Sequence, residues 1–186
     1  PVVKEIRIIK HPDSKYIVGD KFDSTGIEVV SLYSNGNVEV VKVFNTTPAH
    51  GTAMTKEMTN IVVSARLDDK DFQVGYPIKV REVKNLSFTR PGKTSYKQGE
   101  TLEVANMVVQ MNLDDNTSKV INYGDLTIEP AHGTVLSEIG TKKFVVSYTY
   151  NETVGTKTLE QEIVVADPGS YVAPRAIELV WINKPK

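Results

Sequence analysis

The chain has 186 residues, of which 40% are hydrophobic, 24% charged and none cysteine. That length is comfortable for two small domains, and that hydrophobic share supports packed cores, which excludes a disordered chain. The 22 basic and 23 acidic residues nearly cancel in each half of the chain, so there is no cationic slab for nucleic acid or an anionic membrane. The lack of cysteine excludes disulfides, thiol catalysis and thiolate-held metals together.

In chain order, the first pattern is an opening strand, Lys4-Glu5-Ile6-x-Ile8, followed by Tyr16-x-x-Gly19. Phe22 and then Ile27, Val29 and Tyr33 are apolar, with a change of parity at Gly26. Glycine tolerates positive φ, so a β-bulge or a strand switching sheets is expected there. Ser34-Asn35-Gly36-Asn37 supplies a tight hairpin turn. A loop, Pro48-Ala49-His50-Gly51-Thr52, precedes Thr55–Thr59, which is expected to form a short turn and little more. Ile61, Val63, Ala65 and Leu67 then alternate against Val62, Ser64 and Arg66, which is the period of a strand. The acidic tip Asp68-Asp69-Lys70-Asp71 and a strand-like run from Ile78 to Val83 follow. That run leads straight into the next unit, so a short, stiff joint is expected.

From Lys84 the series begins again. Lys84-Asn85-Leu86-x-Phe88 and Tyr96-x-x-Gly99 repeat their counterparts 80 residues on, and Pro130-Ala131-His132-Gly133-Thr134 repeats the pentapeptide at an offset of 82. Leu102 and Val104 change parity to Met107, Val109, Met111 and Leu113 across Asn106, and Asp114-Asp115-Asn116 takes the hairpin position. Phe144, Val146, Tyr148 and Tyr150 share one strand face. An order-preserving match of this kind is a duplication. About seven short strands in each 80-odd residues, without convincing helical stripes, predict an all-β chain of two tandem immunoglobulin-like β-sandwiches, over residues 1–83 and 84–166. Residues 167–186 read as a Pro/Gly-marked linker and the first strand of a further unit, with Val180-x-Ile182-x-x-Pro185 echoing Leu86-x-Phe88-x-x-Pro91. The abrupt start at Pro1 and end at Lys186 read as those of a fragment.

Pro91-Gly92-Lys93-x-x-Tyr96-x-x-Gly99-Glu100, then Asn106-x-Val108-Val109 and Asp115-Asn116, resembles the bacterial immunoglobulin-like repeats of Gram-positive surface proteins, adhesins, S-layer proteins and secreted multidomain enzymes. The first unit carries Pro12, Lys15, Tyr16, Gly19, Asp20, Gly26 and Asn35-Gly36 at the matching places. Asp20 for glutamate, Asn106 for glycine and Asn116 for the turn glycine depart from the pattern conservatively. The resemblance implies an extracellular module on a bacterial cell surface, with no catalytic residue and no cofactor.

The residues themselves point the same way. His50 and His132 recur in one loop, but neither has a second histidine or a cysteine nearby in sequence, so a turn-holding role is expected. The acidic clusters lack calcium-loop spacing and read as solvated hairpin tips. No serine elbow and no phosphate loop is present. Lysine–asparagine cross-linking stays open because sequence cannot place its triad. Tyr148 and Tyr150 read as core, while Tyr171 and Trp181 read as packing a joint. The expected role is a spacer or stalk module, with neighbouring Ig-like domains of the same chain as partners and no membrane insertion. The rivals are a binding module for cell-wall polymer, host protein or glycan, and a decoration domain of a bacteriophage virion.

Overall fold

A computed structural model describes residues 1–169; the opening strand expected near the C-terminus, with Tyr171 and Trp181, lies outside them. The period-two segments are strands: β1 (Val3–Lys10), β2 (Lys15–Ile17), β3 (Glu28–Tyr33), β4 (Val38–Val40), β5 (Asn45–Thr47), β6 (Asn60–Leu67), β7 (Lys70–Pro77) and β8 (Lys79–Arg81) in the N-terminal half. In the C-terminal half they are β9 (Val83–Arg90), β10 (Ser95–Lys97), β11 (Val108–Leu113), β12 (Ser118–Val120), β13 (Thr127–Glu129), β14 (Gly140–Thr149) and β15 (Thr156–Ala166). Among the described residues the only helical element is a single 3-10 turn, Tyr123–Asp125. The chain is all-β, in the manner of an immunoglobulin-like sandwich.

The two halves run through one strand order. In the first, β1-β3-β4 faces β5-β6-β7, and β2 pairs with β8 in parallel. In the second, β9-β11-β12 faces β13-β14-β15, and β10 pairs in parallel with the end of β15. The two differ where Pro77 ends β7, since proline offers no N–H to continue a ladder. There Ile78 bonds to Thr59 and Lys79 to Ser14, so the strand changes partner, whereas β15 runs unbroken.

Alternation places the apolar sets inward, giving two cores. One gathers Ile6, Phe22, Ile27, Val29, Met54, Ile61 and Val63, and the other Leu86, Leu102, Val104, Met107, Val109, Met111, Phe144, Val146 and Ile163. Tyr148 and Tyr150 pack half-buried against the second, as their parity predicts.

The expected bulge at Gly26 and Asn106 is not found, and neither residue has positive φ. Each sits in a tight turn, closed by Ile27 N–H to Ser24 O and by Met107 N–H to Val104 O. Such a turn resets parity because it interrupts the chain between two extended segments. The true irregularities lie in the opening strands, where Lys4 and Ile9 of β1, and Lys84 and Thr89 of β9, are skipped by the ladder. An extra residue on one strand flips the side-chain faces, which is how Val3 and Ile6, three apart, are both buried.

Candidate functional site at the junction of the halves

Only Glu82 separates β8 from β9. With one residue between them the two halves must abut, and side chains from each reach into the other. Ile17, at the end of β2, is fully buried as part of the second core. Past it, Gly19 has φ +86°, and a Cβ there would stand 2.6 Å from Thr153 and 2.8 Å from Asn151 Nδ2. No side chain fits, so glycine is required by conformation and by space alike.

The loop that seats against Gly19 is residues 150–155, between β14 and β15. Asn151 Nδ2 donates to Val18 O at 2.9 Å, and its Oδ1 accepts from Val154 N–H at 2.8 Å. The Tyr150 hydroxyl donates to Asp20 Oδ1 at 2.7 Å, while Asp20 Oδ2 accepts the Ile17 N–H at 2.7 Å. Burial, and then the bond to Asp20, push the Tyr150 phenol well above its usual range, so the proton stays on the donor. Sequence reasoning placed Tyr150 in the core by parity and gave no sign that its hydroxyl crosses the junction. Asp20 is the departure noted above; its counterpart Glu100 makes the equivalent local bond, to Lys97 N–H at 2.8 Å, but no crossing one.

The hairpin Leu113–Thr117 docks on the other side. Asp114 Oδ1 accepts the Glu82 N–H at 3.1 Å, and its other oxygen meets Lys56. Asp115 lies 3.8 Å from Arg81 and 3.9 Å from Lys79, and accepts from the Thr117 hydroxyl and N–H. Arg81 is one of few buried polar residues described; its guanidinium also donates to Thr117 Oγ1 at 3.1 Å and reaches Tyr16 O. The bond from Lys56 holds the Asp114 carboxyl below the usual carboxylate range, and the bonds from Thr117, then Arg81 and Lys79, do so for Asp115. This corrects the reading of Asp114-Asp115-Asn116 as a solvated tip. The turn geometry is as expected, with Asn116 at φ 64°, but the acidic pair faces cations of the other half. Asp68 and Asp69, both at positive φ, make the tight tip between β6 and β7.

The two histidines hold turns. His50 Nδ1 accepts the Ser24 N–H at 3.1 Å, and His132 Nδ1 accepts the Val104 N–H at 3.2 Å, the same bond 80 residues on. His50 Nδ1 also lies 3.5 Å from Asp23 Oδ1. Among the described residues no three histidine, aspartate or glutamate side chains gather closely enough for a metal ion, and no lysine is buried as an isopeptide donor must be. No described helix is long and apolar enough to cross a membrane.

Residues 9–49 match the family model of the bacterial Ig-like domain, group 3. The resemblance is to the bacterial Ig-like domains. The Ig-like match runs from the end of β1 through β5 and so takes in Pro12, Tyr16, Gly19, Gly26 and the Asn35-Gly36 turn. Among solved structures, the chain aligns with one described as surface layer protein SbsC, domains 4-9, at 14% identity and a TM-score of 0.41, over 90% of this chain and 31% of that one. The chain thus spans under a third of that structure's length. No curated protein matches.

Proposed function

We propose that residues 1–83 and 84–166 are two tandem Ig-like units, and that the pair is a non-catalytic spacer or stalk module of an extracellular bacterial surface protein. Val83 opens β9 and packs against the second core, so the second unit's first strand begins one residue before that boundary. The observation that carries the reading is the recurrence of one hydrogen-bond scheme around each core. Met54 O and Leu136 O accept from Gly19 and Gly99, and Phe22 O and Leu102 O accept from Gly51 and Gly133. The recurring pentapeptide and histidine are spent on that scheme, so the repeat's most distinctive residues serve folding. The Ig-like match supports a bacterial surface setting, in which such a unit acts through its length and shape.

A binding module is the second reading, favoured by one feature. The first sandwich has a cleft of about 440 Å³ lined by Ser31, Tyr33, Phe44, Ala65 and Arg66 among others, beside the exposed Val38, Val40 and Val43. The discriminating experiment is binding of the purified chain to a glycan array and to intact bacterial cell wall. A spacer gives a blank on both. Retention that is lost on Ala65→Tyr, which fills the cleft, would replace the spacer with the binding module.

A further inference from the structure

The junction is built from residues that neither outer end of the two halves repeats. The two ends can be compared position by position, since the strand pairings fix the equivalences. At the far end of the second half, Ile17 is replaced by the exposed Lys97 and Val18 by Gln98. Gly99 keeps positive φ, at +89°, but a Cβ there would meet none of the described residues within 4 Å, against the 2.6 Å of Gly19. Arg81, which pairs with Ile17 across β2 and β8, becomes Ala166 opposite Lys97; Lys79 becomes Val164 opposite Ser95. Lys56, two residues past Met54, becomes Glu138, two past Leu136, with the charge reversed. At the opposite end, the acidic hairpin is replaced by Ser34-Asn35-Gly36, and the 150–155 loop by the two-residue tip Asp68-Asp69.

The geometry points to a keyed joint. Resting on the two-unit reading, the proposal is that the units move as one rigid strut, and that only the second unit's head fits the first unit's tail. Three separate fastenings hold it. Ile17 is a plug in the neighbouring core, the 150–155 loop fills the notch at Gly19, and the Asp114–Asp115 hairpin clasps Lys56, Lys79 and Arg81. Each fastening restrains a different rotation, because they stand on different strands and loops around the single residue Glu82. A lone hinge residue absorbs motion only when nothing on either side of it is bonded across.

Paired spin labels on the full chain test this, and the absence of native cysteine leaves them no competing thiol. Lys42→Cys and Glu162→Cys place one exposed site in each half. The expected result is a single narrow distance peak, lost in Gly19→Val and in the double variant Asp115→Ala, Tyr150→Phe, and kept in Gly99→Val. The double variant adds no bulk, so it answers if Gly19→Val fails to fold. A broad distribution in the labelled chain without these substitutions overturns the proposal, as does a peak that stays narrow in the double variant. Failure of the two-unit reading looks different: Phe144→Ala would then strip amide-exchange protection from both cores equally, whatever the peak width.

Discussion

At the residue scale, three glycines that look alike in sequence do three different things. Gly26 occupies a turn at ordinary φ, and a Cβ there would meet Pro12 at a comfortable 3.9 Å. Gly99 needs positive φ but has open space among the described residues, and Gly19 needs both the conformation and the vacancy. In urea unfolding, Gly26→Ala should therefore be neutral to slightly stabilising, by up to about 0.5 kcal/mol. Gly99→Ala should cost roughly 1 kcal/mol for the left-handed backbone, and Gly19→Ala clearly more, because Thr153 must also move. Equal losses at Gly19 and Gly99 would mean that the loop yields freely and the notch is not a fit. The sequence makes all three positions conspicuous and ranks none of them, because φ and the approach of a distant loop are not local properties.

At the scale of elements, the strands were legible and the hairpin tips only half so. Period-two alternation follows from burying one face, so β6, β11 and β14 could be read directly. Asp-Asp-Asn declares a turn through its tolerance of left-handed φ, but its charges carry no address. Whether they meet water or Arg81 depends on a strand from the other half of the chain, and nothing in the local pattern tells the two apart. The bulges were misplaced for a related reason: parity was visible on β3 and β11, while the extra residues sit on their partners β1 and β9.

The acidic hairpin also sets a pH dependence. Its two carboxyls are held below their ordinary value of about 3.9, so their contribution is fully present above that value. It is lost as pH falls through the lower, folded value. The amide resonances of Glu82 and Thr117, whose N–H groups donate to these carboxylates, should stay in place down to about pH 5 and shift together only below about pH 4. Movement of either near pH 5 or above would show that the carboxyls are not depressed and the clasp is weak.

At the scale of the whole molecule, the two halves share a strand order but not a filling. Ser31 and Ala65 in the first half stand where Met111 and Tyr148 pack in the second, and the cleft in the first sandwich is the space those smaller side chains leave. Ala65 is nearly buried on the rim of that space, so Ala65→Val should stabilise the chain by about 1 kcal/mol, visible as a raised thermal midpoint. A lowered midpoint would mean that the cleft walls are too rigid to accept two methyl groups. The repeated motifs were plain from sequence because they lie in turn residues, while the difference in core volume hides among residues that are all apolar or small.

On the proposed reading of two keyed units, the asymmetry of the junction constrains how such a protein can lengthen. Copying the second unit alone would set Lys97, Ala166 and Glu138 against an acidic hairpin. Copying the first alone would offer Ser34-Asn35 to Arg81. Either event adds a swivel to the array, whereas copying both units together carries the existing joint along intact. The smallest cassette that recombination can multiply without adding slack inside it is the pair.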